Sequence, residues 1–348
     1  MNAPTIPSLE LPFAAPPAPG ETIRVAPRIR WLRMPLPFAL DHVNLWLCDD
    51  DARVAIVDTG LADDATRREW HLHFERAIAQ RRVDAIVATH YHPDHVGNAA
   101  WLAEHFGVPV TMTYAELLHA RGVQRDDAPM GVAAYAAFFA THGLAPADVD
   151  ALVARGNAYR RVVPALPSTF LRIVDGDEID LAGTRFRVIV GHGHSPEHAA
   201  LYAATPGVLI AGDMLLPRIS TNVGVTPGEP DADPVARFLD SLARFEHLPP
   251  DTLVLPSHGL PFRGIALRVA ALRAHHAARL AELEAFVRAS PRPVSAADAL
   301  PVLFRRALDL QQRFFAMGEA IAHLNHLWRH RRLARVVDAA AIRFEAPS

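Results

Sequence analysis

Lysine is absent from this chain of 348 residues: all 35 basic side chains are arginine. An arginine-only set offers bidentate recognition of carboxylates and phosphates. The accompanying wealth of Ala and Pro reads instead as a compositional bias of the whole sequence. Cysteine is nearly absent too, and the lone Cys48 excludes an intrachain disulfide. The formal charge is only −3, so no general electrostatic drive towards nucleic acid or a membrane exists, although a local basic stripe could. No apolar run approaches the roughly 18 residues of a membrane-crossing helix. Residues 1–20, "MNAPTIPSLELPFAAPPAPG", lack the charged start and continuous apolar stretch of a secretory signal. The compartment these absences leave is the cytoplasm.

What is present can bury a large core, since 50% of the residues are hydrophobic and 21% charged. The Pro-rich residues 1–27 read as an extended arm or disordered tail. From residue 28, "HVNLWLC", "RVAIVDTG" and "DAIVATH" are short apolar runs bounded by turn residues, hence strands. Between the last two lies "DDATRREWHLHFERAIAQRR", with acids first, arginines last and neither Pro nor Gly. That is one helix with favourable dipole placement. His71 and His73 stand two apart on it, so they do not face each other, and both are expected on its surface.

An insert at about 112–165 reads as two helices, "AYAAFFATHGL" and "PADVDALVARGNAYRR", with Met130, Tyr135, Phe138 and Phe139 on the first. Its apolar face either roofs a site or simply packs. Strands resume in "LRIVDGDEIDLAGTRFRVIVGH", "HAALYAA", "GVLIAGD" and "TLVLPSHG", with a helix near 233–247. Beyond 263 the pattern is helical at about 264–287, 293–309 and 311–330, followed by a strand-turn-strand at 333–346. His275, His276 and the histidines of "AIAHLNHLWRHRR" take surface or core places on these helices.

One stretch concentrates chemistry. "ATHYHPDHVGNAA", residues 88–100, puts His90, His92, Asp94 and His95 directly after a strand. Period-two geometry points His90 and His92 the same way while the chain stays extended. Pro93 then ends regular structure and frees Asp94 and His95 to turn towards a second point. Imidazole and carboxylate together suit borderline ions such as zinc. Later strand ends supply His192, His194 and His198, then Asp213, then His258.

In that order, "VDTG", "THYHPDH", "GHS", "GD" and "PSHG" resemble the metallo-β-lactamase superfamily, over about residues 28–262. The resemblance implies an α+β fold: an αβ/βα sandwich of two mixed sheets flanked by helices. A helical, winged-helix-like region at 263–348 resembles the appendage of the β-lactamase-like endoribonucleases. The resemblance further implies two divalent ions, zinc by default, with iron or manganese as substitutes. His90, His92 and His194 would hold the first, Asp94, His95 and His258 the second, and Asp213 would bridge them. Asp58 would orient a ligand histidine from behind. The family usually has Pro-Gly before the histidine of "GHS"; here His192-Gly193 stands there, leaving His192 unassigned. His198 fits a supporting or substrate-contacting role, or simple packing.

Two ions sharing a water lower its pKa to about 7, so hydroxide forms at neutral pH and attacks a carbonyl or phosphorus. Asp94 would orient that nucleophile and later deliver a proton to the leaving group. Relatives with flavin-linked iron carry glutamate where His92 stands and need a flavodoxin domain. Penicillin-hydrolysing relatives commonly have a cysteine near the second metal, whereas Cys48 is far from any motif. The RNA-processing relatives with a large inserted domain need far more than the residues between Asp213 and His258. The favoured activity is hydrolysis of a small thioester, ester or lactone; the runner-up is RNA cleavage, kept open by the basic cluster "WRHRR". A fold retained only for binding is disfavoured, because every ligand position is filled. Arg218, on the loop after Asp213, could meet a substrate carboxylate or phosphate, or could be structural.

Overall fold

The computed structural model describes residues 8–38, 40–338 and 341–347. One sheet runs in the order β1 (Ile23–Ala26), β2 (Ile29–Pro35), β3 (His42–Asp49), β4 (Arg53–Val57), β5 (Arg82–Val87), β6 (Val110–Met112) and β7 (Phe170–Arg172). Pairing is antiparallel from β1 to β4 and parallel from β4 to β7. The other sheet runs β8 (Glu178–Leu181), β9 (Thr184–Gly191), β10 (His198–Ala203), β11 (Val208–Gly212) and β12 (Leu253–Pro256). There, only β11 and β12 are parallel.

Strand periodicity builds the layers. Along β3, Trp46 and Cys48 face the second sheet, while Val43, Leu45 and Leu47 face the helices behind the first. Both faces are therefore buried, which is why "HVNLWLC" reads as nearly continuous apolar sequence. Between the sheets, Trp31 and Trp46 stack with centroids 6.3 Å apart, beside Phe186, Leu201, Ile210 and Leu255. Each such side chain contributes about 1.5–3 kcal/mol by leaving water. Burial also pushes the Cys48 thiol pKa well up, so it behaves as a small apolar residue.

Behind the first sheet lie α1 (Asp64–His73), α2 (Pro93–Val96), α3 (Ala99–Phe106) and α4 (Tyr114–Arg125). Next in the chain come α5 (Val132–Thr141), α6 (Pro146–Arg155) and α7 (Ala158–Val162). Behind the second sheet pack α8 (Pro234–Glu246), α9 (Ile265–Ala289), α10 (Ala296–Leu303) and α11 (Leu310–Arg329). The α9 face is set by Ile265, Val269, Leu272, His276, Leu280, Leu283 and Val287, spaced three or four apart. A two-stranded ribbon, β13 (Ala334–Val337) and β14 (Ile342–Glu345), follows α11. The αβ/βα sandwich with a helical C-terminal region is thus realised. Among the described residues, no helix is long and apolar enough to cross a membrane.

Several expectations need correction. Residues 1–7 lie outside the described residues, but the rest of the supposed arm is integrated: β1 joins the sheet, Glu10 pairs with Arg263, and Phe13 meets Trp31 edge-on. The helix expected across 63–82 ends at His73 and continues as a π-helical turn, Phe74–Ile78. His71 is exposed as expected, but His73 is wholly buried. It falls on the inward stripe of Thr66, Trp70 and Ala77, and burial pushes its pKa down to about 4.

The insert holds a further helix, α4, and Met130 precedes α5 rather than lying on it. Phe138 and Phe139 are buried, and Tyr135 and Phe139 pack on Phe314 of α11 at 4.9 and 5.4 Å. This face is therefore occupied by the C-terminal helix and is no open roof for an acyl chain.

Candidate metal centre

Strands β4 and β5 of one sheet and β9, β11 and β12 of the other end at a common rim. Ligands gather beyond the carboxyl ends of strands in layered α/β folds because loops there can converge without breaking the ladder. Asp58 follows β4, the 89–95 stretch follows β5, His194 follows β9, Asp213 follows β11 and His258 follows β12.

Local chemistry shapes the 89–95 stretch. His92 has extended backbone, φ −59° and ψ 148°, and Pro93 then opens the single turn α2. Proline suits the first helical position because its missing N–H would have no partner there. Gly97 is obligatory at the turn's end: a Cβ would lie 2.5 Å from the Pro93 carbonyl and 2.6 Å from that of Gly60.

Two donor groups result. His90, His92, His194 and Asp213 converge, and beside them Asp94, His95 and His258, the atoms within each group lying within 4.8 Å of one another. His90 Nε2 is 2.9 Å from His92 Nδ1 and 3.2 Å from His194 Nε2. A tetrahedral ion with bonds near 2.0–2.1 Å needs donors roughly 3.3 Å apart. Asp213 lies between the groups, with Oδ2 3.4 Å from His194 Nε2 and Oδ1 3.4 Å from His258 Nε2. Asp94 Oδ2 is 3.5 Å from His258 Nε2 and 3.6 Å from His95 Nε2.

The residues fit divalent metal on three grounds. The donors are the nitrogens and oxygens such ions prefer. His95 Nε2 and Asp213 Oδ1 are buried with no hydrogen-bond partner among the described residues. The far ring nitrogens are held so that Nε2 points inward: His95 Nδ1 pairs with Asp58 Oδ2 at 2.8 Å. His194 Nδ1 donates to the Asn222 carbonyl and His258 Nδ1 to that of His42, both at 2.8 Å. Such bonds fix tautomer and ring orientation.

Electrostatics divides the centre. Burial, then the crowd of imidazoles, holds His90 and His92 well below the ordinary histidine range. Burial also opposes charge on His95, yet Asp58, Asp94 and Asp213 outweigh it and lift its pKa to about 10. Burial would raise Asp213, but His258, His194 and His95 hold it well below the usual carboxylate range. The carboxylates demand positive charge in their midst.

The other expected residues take clear positions. Asp58 accepts from Thr89 N at 2.8 Å as well as pairing with His95, so it supports the ligand stretch from behind. His198 is wholly buried, its ring 4.7 Å from that of His90, and its Nε2 accepts from Asp213 N at 3.1 Å. It cannot touch substrate and instead braces the Asp213 backbone. Gly212 allows this, since a Cβ there would sit 2.3 Å from the His198 ring. His192 Nδ1 donates to the Pro196 carbonyl at 2.7 Å, tying down its own loop. Arg218 is exposed, with no ion-pair partner among the described residues.

Two supporting glutamates escape the sequence reading. Glu116 of α4 is fully buried and accepts from Tyr91 N (2.9 Å), Ser195 Oγ (2.7 Å) and Glu197 N (2.6 Å). It thereby joins the loops of His90/His92 and His194; burial lifts its pKa to about 7 despite those donors. Glu319 of α11 accepts from Asn222 Nδ2 at 3.0 Å, the residue whose carbonyl orients His194. The neighbouring Gly318 carbonyl accepts from Val225 N at 3.1 Å. The C-terminal helix therefore holds a loop of the metal centre. No sequence signal marks either glutamate.

Comparison with known proteins agrees with this geometry. A profile described as the metallo-beta-lactamase superfamily matches residues 39–258, and one for a metallo-beta-lactamase-like C-terminal domain matches residues 280–347. The crystal structure of a beta-lactamase domain protein from Burkholderia ambifaria is 46% identical, covers 97% of this chain and 98% of its own, and superposes with a TM-score of 0.89. A metallo-beta-lactamase family protein from Thermus thermophilus is 30% identical over 93% of this chain and 100% of its own, with a TM-score of 0.77. Hydroxyacylglutathione hydrolase from Chromohalobacter salexigens is 29% identical over 231 residues, 65% of each chain. More than half of the chain, its site and its relatives thus lead to one family: the chain belongs to the metallo-β-lactamase superfamily, as one of its metallo-hydrolases.

Proposed function

We propose that this protein is a cytoplasmic dinuclear hydrolase of thioesters, esters or lactones, with zinc as its native metal. The observation that carries the reading is the pair of adjoining donor groups with Asp213 between them. Two divalent ions so held would supply a water of lowered pKa and a Lewis acid for the substrate carbonyl. The chain's own part is orientation. Asp94, whose side chain keeps 19% exposure, would align the attacking water, then pass a proton to the leaving group. Asp58 and the carbonyls of Asn222 and His42 would keep the histidines from turning as charge changes. Arg218, exposed on the loop after Asp213, would meet a carboxylate on the acyl substrate.

Support for an acyl substrate comes from the hydroxyacylglutathione hydrolase similarity and from the fate of the basic cluster. Arg332 pairs with Glu284, Arg335 pairs with Asp231 and lies over Trp328, and Arg329 donates to the Asp231 carbonyl. Two of the four arginines there, Arg332 and Arg335, are thus neutralised by carboxylates, whereas Arg329 and Arg331 stay exposed.

The test is a parallel assay of zinc-loaded protein on thioesters and lactones and on single-stranded and structured RNA, with Asp94→Ala as control. Asp94-dependent turnover of an acyl substrate is expected. RNA cutting that depends on Asp94 and weakens steeply with salt would replace the proposal by the ribonuclease reading.

A further inference from the structure

A second group of metal-type donors shares no residue with the centre. Asp233 precedes α8, and His326 and His330 stand at the C-terminal end of α11. His326 Nδ1 is 3.0 and 3.2 Å from the two Asp233 oxygens, and His330 Nε2 is 3.3 Å from Asp233 Oδ2. The spacing of four residues puts both imidazoles on one helix face, with ring centroids 4.3 Å apart.

The arrangement is built, not incidental. Asn325 is fully buried and donates to the carbonyls of Pro230 (2.9 Å) and Ala232 (3.2 Å), while Arg329 donates to that of Asp231 (3.0 Å). These bonds from α11 fix the loop that presents Asp233. Asp233 is itself fixed as the cap of α8, accepting from Ala236 N at 2.9 Å. Backbone on both sides of the cluster is therefore locked before any ligand arrives. Its His326–Oδ2 and His330–Oδ2 separations match the roughly 3.3 Å edge of a tetrahedral site.

We propose that Asp233, His326 and His330 bind one divalent cation of the zinc class, which clamps α11 to the start of α8. Two imidazoles and one carboxylate are donors for such an ion. His330, 53% exposed, leaves the fourth position to water. The site is structural: it tightens the contact between the C-terminal helix and the loop leading into α8, and plays no part in hydrolysis.

The experiment counts zinc by equilibrium dialysis of the full chain at micromolar free zinc, for wild type, His330→Ala and Asp233→Asn. The exposure of His330 makes its truncation mild, and asparagine caps a helix as well as aspartate does, so both variants should fold. Each is expected to bind one equivalent fewer than wild type, to retain hydrolytic activity, and to lose part of the zinc-induced rise in Tm. Wild-type stoichiometry in both variants would overturn the proposal and leave an imidazole–carboxylate contact that only caps α8. Because the measured quantity is a difference between variants, it does not depend on how many ions the catalytic centre holds.

Discussion

The two sides of the candidate metal centre are assembled differently. His90, His92, Asp94 and His95 come from six consecutive residues, braced by Asp58 and Glu116. His194, Asp213 and His258 come from three separate loops, braced by Asn222, His198 and His42. A contiguous stretch gets its mutual geometry from covalent connection and one proline-started turn. The scattered side must import geometry from distant elements, which is why a C-terminal helix reaches into it. Order in the first is largely local, with Asp58 and Glu116 added from elsewhere; order in the second is borrowed.

The sharpest way to break this contrast is on the local side. Asp94→Ala removes a direct donor, so zinc affinity at one site and turnover should each fall by more than the roughly 10–100-fold typical of supporting groups. Metal analysis together with steady-state rates checks this, and wild-type-like turnover with one ion lost would refute a two-ion mechanism. Next in size comes Asp58→Asn, which leaves shape but weakens the hold on His95 Nδ1. A loss of roughly 10–100-fold in metal affinity is expected, measured by competition with a chromophoric chelator. Unchanged affinity would show that Thr89 and the backbone suffice to orient His95.

The borrowed side is probed by Glu319. Glu319→Leu should lower zinc affinity by about tenfold, while Glu319→Gln keeps an acceptor for Asn222 and should restore it. Stability gives an independent readout. Burial, opposed by the Asn222 hydrogen bond, pushes the Glu319 pKa up to about 7, against about 4.3 unfolded. The folded chain thus binds this proton more tightly. That contribution is full below about pH 4.3 and is lost as pH rises through about 7. Compared by urea unfolding, Glu319→Gln should match wild type near pH 4 and exceed it by up to roughly 3 kcal/mol near pH 8. An equal gap at both pH values would mean that Glu319 does not titrate in this range.

The smallest effects belong to the other histidine pair. His71→Ala and His73→Leu should leave zinc content unchanged, since neither residue is near the centre. His73→Leu also removes two buried ring nitrogens without hydrogen-bond partners among the described residues. Its Tm should stay level or rise, by about 1 kcal/mol in stability; a lost ion would show that His73 has a metal role.

The same residues mark how far the chain is legible before it folds. The strands "RVAIVDTG" and "DAIVATH" are legible because both faces are apolar and turn residues bound them. The donors are legible because histidine and aspartate at strand ends have few other uses. His73 is misplaced by sequence alone because helix surface and helix core differ by a rotation that one histidine cannot report. Glu116, in "TYAELLHA", looks like any amphipathic-helix glutamate. Its role exists only once residues 91, 195 and 197 are brought to it. Glu319 likewise depends on a partner nearly a hundred positions earlier. Partnerships of that kind are products of topology, so composition and periodicity carry no trace of them.

The hold of Gly318 and Glu319 on the 222–225 loop bears on how such chains can be recombined. A C-terminal segment that only decorated the sandwich could be exchanged between relatives like a handle. Here the exchanged piece would take with it the support of the carbonyl that aims His194, and a foreign segment would have to rebuild that contact. Inheritance of the sandwich and of its helical companion is coupled at this loop, among other contacts.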